Sequence, residues 1–137
     1  MDLCSRKIVG WEYGSSMGED LVLGALRRAI RERQPGAGLI HHTDRGGQYA
    51  SKRYRDVLRR SGIQQSMSAA ESCYDNACME SCFGTLKTEL ELAEYANGPE
   101  AVRELTGYIR YYNGERRHSS LGYVSPAEFE RQLTVPK

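Results

Sequence analysis

The sequence has no run of apolar residues long enough to cross a membrane. A membrane-spanning helix needs about 18 or more such residues in succession, and none of the 137 residues belong to a run of that kind. The first fifteen residues, MDLCSRKIVGWEYGS, also lack the apolar centre of a secretory signal. We therefore expect a cytoplasmic protein that does not enter a membrane.

Cysteine is scarce, and neither sign of charge is in excess. The chain has four cysteines, and a domain of this size in a reducing compartment does not need a disulfide framework. The spacing of Cys73, Cys78 and Cys82 differs from the paired C-x2-C knuckles that hold structural zinc, so we expect no zinc site. We interpret Cys78 and Cys82 as packing residues on a helix. The net charge of +1 neither favours nor excludes nucleic acid as a partner.

The distribution of the basic residues is more informative than their sum. They are concentrated in three clusters, at residues 27–33, 52–60 and 116–118. Such clusters occur on nucleic-acid-binding surfaces and also on the solvated faces of ordinary amphipathic helices. For any single cluster, both interpretations stay open.

Periodicity and turn residues predict strands that alternate with helices. We expect strands at 6–13, 38–43 and 63–67, and helices at 19–33, 51–60, about 75–92, from 98 onward and after Ser125. The polar stretch from Ser68 to Tyr74 is predicted to be a mobile loop. The chain should form one α/β domain covering residues 1–137, in which about 98–137 are a C-terminal helical tail.

Three segments of the sequence carry motifs. They read HTDRGGQY, CYDNACMES followed by GTLKTE, and YYNGERRHSSLGYVSPAEF. Together they resemble the transposases of bacterial insertion sequences in the IS-three group, whose catalytic core is similar to retroviral integrase. The resemblance covers nearly the whole chain. It implies a ribonuclease-H-like fold and an enzyme that cleaves and joins DNA strands.

The resemblance also implies catalytic roles for Asp44 and Glu80. In that family, the aspartate of the first motif and the glutamate of the second are the second and third members of a D-D-E triad. A complete triad binds two Mg²⁺ or Mn²⁺ ions, which activate the attacking oxygen and stabilise the leaving oxygen. The residue pattern by itself fits a turn aspartate at Asp44 equally well, because Asp-Arg-Gly-Gly is good turn chemistry.

The first triad aspartate has no counterpart in the sequence. The family carries it in a strand similar to D-[IV]-T-Y, upstream of a string that here matches Ser5-Arg6 and residues 8–11, IVGW. The surroundings of Asp2 match the second strand and not the first. We therefore expect a fold that lacks its first strand, a metal ligand set that is one residue short, and an isolated chain without activity.

Helical spacing places Glu80 at the edge of a buried face. At about 100° per residue, an apolar stripe forms beside a polar line. The stripe contains Met79, Cys82, Phe83, Leu86 and Leu90, and the polar line contains Asn76, Glu80, Gly84 and Lys87. Glu89 and Glu91 are interpreted as solvated helix glutamates.

Several polar residues around these motifs are predicted to bind DNA. The resemblance includes Lys87, which lies about 10.5 Å along the helix from Glu80 and suits a phosphate contact, although an ion pair with Glu91 is the alternative. The other predicted contacts are Arg45, Asn76, Arg116 and Arg117. For residues 111–118 we also consider a packed motif, with buried tyrosines and an internally satisfied His118, and we favour it over base stacking.

The sequence thus predicts the catalytic core of a DNA transposase in an incomplete copy. The expected partners are the ends of the mobile element, target DNA and further copies of the chain or subunits of an intact transposase. The alternative is a non-catalytic DNA-binding module that interferes with an intact transposase. A ribonuclease-H-like nuclease unrelated to mobile elements ranks last, because it would lack the C-terminal motif.

Overall fold

A computed structural model describes residues 1–68, 76–90 and 97–134. Within these ranges the chain forms helices that alternate with short strands, in the order α1 (Glu19–Arg33), β1 (Ile40–Thr43), α2 (Lys52–Arg60), β2 (Gln64–Met67), α3 (Ala77–Glu89), α4 (Gly98–Gly114) and α5 (Pro126–Thr134). This order confirms the predicted α/β class. Apart from Ser68, the predicted mobile loop lies outside the described residues. The predicted end of α3 near residue 92 lies outside them too.

The two strands form a parallel sheet. Ile40 lies opposite Gln64, and Thr43 lies opposite Met67. The strand predicted at 38–43 is observed as β1, and it is largely accessible, because Ile40 is 64% exposed and only Thr43 is buried. The reason is that the sheet has two strands within the described residues, so each strand has one neighbour.

The chain divides into two packing units. One unit is Val9–Cys82, and the other consists of Met1–Ile8 with Phe83–Lys137. This division concerns packing alone. The single domain over residues 1–137 therefore stays a prediction. In the described ranges, no helix is both long enough and apolar enough to cross a membrane.

The core of the Val9–Cys82 unit is formed by α1, α2 and the residue before β2. Its buried members are Leu23, Leu26, Tyr54, Leu58 and Ile63. Helix α2 begins as predicted, because the side chain of Ser51 accepts a hydrogen bond from the backbone N–H of Tyr54 at 3.2 Å. It ends before Gly62, whose φ of 67° lies in the left-handed region that favours glycine.

The predicted strand at residues 6–13 is wrong. This segment joins no sheet within the described residues, although its β-branched and aromatic residues favour a strand. The backbone N–H and C=O of Ile8 bond instead to the side-chain amide of Asn113, at 2.9 Å each. A side chain thus satisfies the backbone groups that a neighbouring strand would otherwise pair.

The residues after Ile8 lie directly against α1. Arg28 of α1 donates a hydrogen bond to the carbonyl oxygen of Trp11 at 3.1 Å and lies over its indole ring. At Gly10, an added Cβ would be 2.3 Å from the carbonyl oxygen of Ala25 and 2.8 Å from Cβ of Ala29. Only glycine therefore fits at this position without moving α1.

The second unit is built on α4 and α5. The side chain of Asn97 caps α4, and that of Ser125 caps α5, by accepting from the backbone N–H groups of Glu100 and Glu128 respectively. Near the start of α4, Ala101 is buried, whereas Val102 is 39% exposed. The N-terminal segment is tied to α5 by bonds that Ser5 and Lys7 donate to the carboxylate of Glu130, at 2.8 and 3.0 Å.

We predict that Gly10→Ala lowers the free energy of unfolding by about 1–3 kcal/mol, because the methyl group overlaps the α1 backbone. Gly107→Ala is the matched control, since a Cβ there meets nothing within 4 Å. In the middle of α4, alanine should leave stability unchanged or raise it by about 0.5–1 kcal/mol. Urea unfolding of both variants measures this, and equal midpoints would show that the close approach of Gly10 to α1 is incorrect.

Candidate active site

Asp44 is exposed and immediately follows β1. Its Oδ1 accepts a hydrogen bond from the backbone N–H of Gly46 at 2.7 Å. A Cβ at Gly46 would be only 2.9 Å from that oxygen, so a larger residue at this position would displace the Asp44 carboxylate. The bond occupies one of the two carboxylate oxygens. The turn and a ligand role are therefore compatible, and the turn fixes the direction of the side chain.

The chain on either side of Asp44 is held to the end of β2. The ring nitrogens of His42 are 3.0 and 3.1 Å from the hydroxyl oxygens of Ser66 and Ser68. Arg45 donates from Nε to the carbonyl oxygen of Ser68 at 2.8 Å, and the Ser68 N–H bonds to the carbonyl oxygen of Thr43. Arg45 thus has a structural contact in addition to its predicted DNA contact.

His41 connects β1 to the core. Its Nε2 is 2.8 Å from the hydroxyl oxygen of Tyr54. Burial lowers the pKa of His41 and raises the pKa of Tyr54, so both side chains are neutral at pH 7. His41 is thus partly buried and hydrogen-bonded to a core tyrosine.

Glu80 lies in the first turn of α3 and is exposed. A negative charge at this end of a helix is favourable, because the backbone N–H groups there point outward. Asn76 directly precedes α3, and Cys82, on the predicted apolar stripe, is buried. The stripe is wrong at Phe83, however, since 53% of that residue is exposed.

The predicted site residues fall into two groups. Asp44, Arg45, Asn76 and Glu80 belong to the Val9–Cys82 unit. Lys87, Arg116 and Arg117 belong to the other unit. Lys87 and Arg117 are exposed. The rival partner of Lys87, Glu91, lies outside the described residues.

Arg116 is held by Glu89, which the sequence did not indicate. The Arg116 Nε is 2.8 Å from one oxygen of Glu89 and 3.0 Å from the other, and the Tyr108 hydroxyl donates to the same carboxylate at 2.9 Å. The hydrogen bond from Arg116 holds the pKa of Glu89 below its usual value. Glu89 is exposed, as interpreted, and it also pairs with Arg116, because the turn after α4 returns Arg116 to α3.

The segment at 111–118 is largely packed, as favoured. Tyr112 is 4% exposed, and its ring meets that of His118 edge-on, with 4.8 Å between the centroids. Two details differ from the prediction. Tyr111 is 44% exposed. The Nε2 atom of His118 is buried and has no hydrogen-bond partner among the described residues. Burial accordingly lowers the pKa of His118.

The carboxylates suit a divalent cation in kind but not in number. Asp44 and Glu80 offer oxygen, which is the ligand that Mg²⁺ and Mn²⁺ prefer. In the part of the chain that the structure describes, no three side chains of His, Cys, Asp or Glu gather where they could hold a metal ion. The described residues therefore do not form a complete two-metal site.

Comparison with known families places the chain among integrases and their relatives. The family model of the integrase core domain matches residues 1–73, and a second integrase core domain model matches residues 61–126. The chain belongs to the integrase core domain family.

Curated relatives narrow the comparison to insertion sequences. The chain is 47% identical over 133 residues to the transposase for insertion sequence element IS904 of Lactococcus lactis subsp. lactis (strain IL1403). It is 43% identical over 134 residues to transposase InsF for insertion sequence IS3fB of Escherichia coli (strain K12). Each match covers 96% of this chain but only 53% and 46% of the relative. The chain thus spans about half the length of these relatives.

The fold agrees with a solved structure. A chain in the cryo-EM structure of the simian T-cell lymphotropic virus intasome, in complex with PP2A regulatory subunit B56 gamma, matches with a TM-score of 0.74. The match covers 90% of this chain and 44% of the other, at 17% sequence identity. This confirms the predicted ribonuclease-H-like, integrase-like fold class.

Proposed function

We propose that this chain is part of the catalytic core of an insertion-sequence transposase, which cleaves and joins DNA strands. The identity of 43–47% to transposases supports the reaction class. The observation that carries the proposal is the placement of the two motif carboxylates. Asp44 directly after a strand and Glu80 in the first turn of a helix are both exposed and belong to one packing unit.

In this proposal Asp44 and Glu80 are metal ligands. Integrase-type core domains generally use divalent metals, and a bound Mg²⁺ or Mn²⁺ polarises the phosphate and lowers the pKa of an attacking water. The residues of the chain prepare the site. The Gly46 N–H orients the carboxylate of Asp44, and His42 and Arg45 hold the strand end on which it lies. Further ligands remain to be supplied beyond the described residues.

DNA and further protein subunits are the proposed partners. The transposition reaction requires the ends of the mobile element and a target duplex. The structural neighbour belongs to an intasome, and this supports a role for the present chain within a larger assembly.

We predict that Asp44→Asn or Glu80→Gln, introduced into the whole transposase that carries this core, abolishes strand cleavage and leaves DNA binding nearly unchanged. Each substitution removes a metal ligand without removing a cation that binds phosphate. Single-turnover cleavage of end-bearing DNA and a binding assay on the same preparations measure the two effects.

The matched control for these substitutions is Asp20→Asn together with Glu104→Gln, since both residues are exposed and neither belongs to a motif. The control should cleave at the wild-type rate. Wild-type cleavage by either site variant would remove that residue from the catalytic assignment. If the unsubstituted transposase binds the DNA but does not cleave it, the non-catalytic alternative is favoured.

We also predict that Lys87→Ala weakens DNA binding uniformly over sequences without lowering the melting temperature. One lost phosphate contact should reduce the slope of log K against log salt by about 0.9. Arg103→Ala is the control, because Arg103 is equally accessible but pairs with Glu100 and Glu104 on its own helix. A salt slope that matches the control would eliminate Lys87 as a DNA contact.

A further inference from the structure

Helix α2 carries the densest positive charge in the chain. Its nine residues, KRYRDVLRR, include five basic residues and one acid, whereas the whole chain has a net charge of +1. Sequence patterns leave open whether such a cluster is a binding surface or a solvated face. The packing of α2 and the ion pairs around it distinguish the two.

The core fixes which side of α2 faces outward. Tyr54 and Leu58 are 2% and 1% exposed and pack into the centre of the Val9–Cys82 unit. The opposite side carries Lys52, Arg55 and Arg59, which recur at intervals of three and four residues and so lie on one stripe. The stripe cannot rotate away without exposing the core residues, so its charge is presented in a fixed direction.

Ion pairs neutralise only part of this charge. Arg53 binds Glu19 and Asp20 of α1 at 3.2 and 3.0 Å, and Arg59 binds Asp56 at 2.9 Å. Among the described residues, no carboxylate lies within ion-pair distance of Lys52 or Arg55. Asp56, the single acid of α2, is thus already paired, and Lys52 and Arg55 have no ion-pair partner among the described residues.

The stripe lines a groove and not a convex ridge. Lys52, Arg55, Asp56 and Arg59 form one wall, and residues 62–65 at the start of β2 form the other, around a volume of about 530 Å³. The second wall includes Gln64, which is exposed and offers a neutral hydrogen-bonding amide. The lining also includes Leu58 and Ile63, so it is the basic wall of the groove that suits a phosphate backbone.

The wall of the groove at the start of β2 lies away from Asp44. Because β1 and β2 are parallel, the start of β2 lies at the opposite end of the sheet from Asp44, which follows the end of β1. The stripe from Lys52 to Arg59 extends about 10.5 Å along the helix, which corresponds to about three phosphates of one strand of a duplex.

We propose that the groove between α2 and the start of β2 binds the backbone of duplex DNA, through Lys52 and Arg55, neither of which is a proposed metal ligand. The identity of the ligand as DNA rests on the proposed function. The contact is independent of base sequence, because it is made by cations and not by base-reading side chains.

The test is the salt dependence of binding by the purified chain to a short duplex of mixed sequence. The double variant Lys52→Gln/Arg55→Gln should bind more weakly and lower the salt slope by about 0.9 for each lost contact. The control Arg103→Gln/Arg131→Gln removes the same charge from exposed, ion-paired positions and should keep the wild-type slope. The charge-preserving variant Lys52→Arg/Arg55→Lys should also bind like the wild type.

The proposal is overturned if the Lys52/Arg55 variant retains the slope of the control, or if the wild-type chain does not bind duplex DNA at low salt. It is also overturned if polyglutamate displaces the duplex at equal charge concentration, because the groove would then accept acidic protein segments. Thermal melts of all variants identify any loss of folding. These results do not involve Asp44 or Glu80, so the cleavage assay can succeed or fail separately.

Discussion

The packing of α2 against α1 is the interaction on which the Val9–Cys82 unit depends. Tyr54 is buried between the helices, and its hydroxyl group reaches His41 of β1. The same helix buries Leu58 beside Ile63, the residue that precedes β2. Both strands are thereby attached to one helix. Asp44 comes directly after β1, so this attachment also holds the strand end from which Asp44 faces the solvent. The outward basic stripe is a second consequence, because the side of α2 opposite a buried Tyr54 and Leu58 has to face solvent.

In the other packing unit, the carboxylate of Glu89 plays a comparable part, because it holds side chains from separate segments together. Glu89, on the last turn of α3, accepts bonds from Arg116 and from the hydroxyl group of Tyr108. Arg116 also lies over the ring of Tyr112, with 5.7 Å to the centroid. This bidentate pair is stronger than an ordinary surface pair, since both oxygens are used and the guanidinium ion is partly shielded. The basic motif near the C-terminus is therefore structural at Arg116, whereas Arg117 is exposed.

Local signals in the sequence were sufficient for the helices of the first unit. The bounds of α1 were predicted exactly, and Ser51 was identified as the cap of α2, because capping and periodicity depend on near neighbours. The strand predicted at 6–13 failed for the opposite reason. Its pairing depends on distant residues, and the contact of Ile8 with Asn113 spans 105 positions. The candidate site residues were predicted from a family resemblance. No local pattern in the sequence indicated that Glu89 pairs with Arg116.

Mn²⁺ binding to the purified chain is the sharpest test of the proposed roles of Asp44 and Glu80 as metal ligands. Electron paramagnetic resonance of free Mn²⁺ during a titration reports the number of bound ions and their affinity. We predict one weakly bound ion, whose affinity falls in both Asp44→Asn and Glu80→Gln. If the two carboxylates hold the same ion, the loss of binding free energy in the double variant should be smaller than the sum of the two single losses. Loss of binding in only one variant, or in neither, would contradict the account.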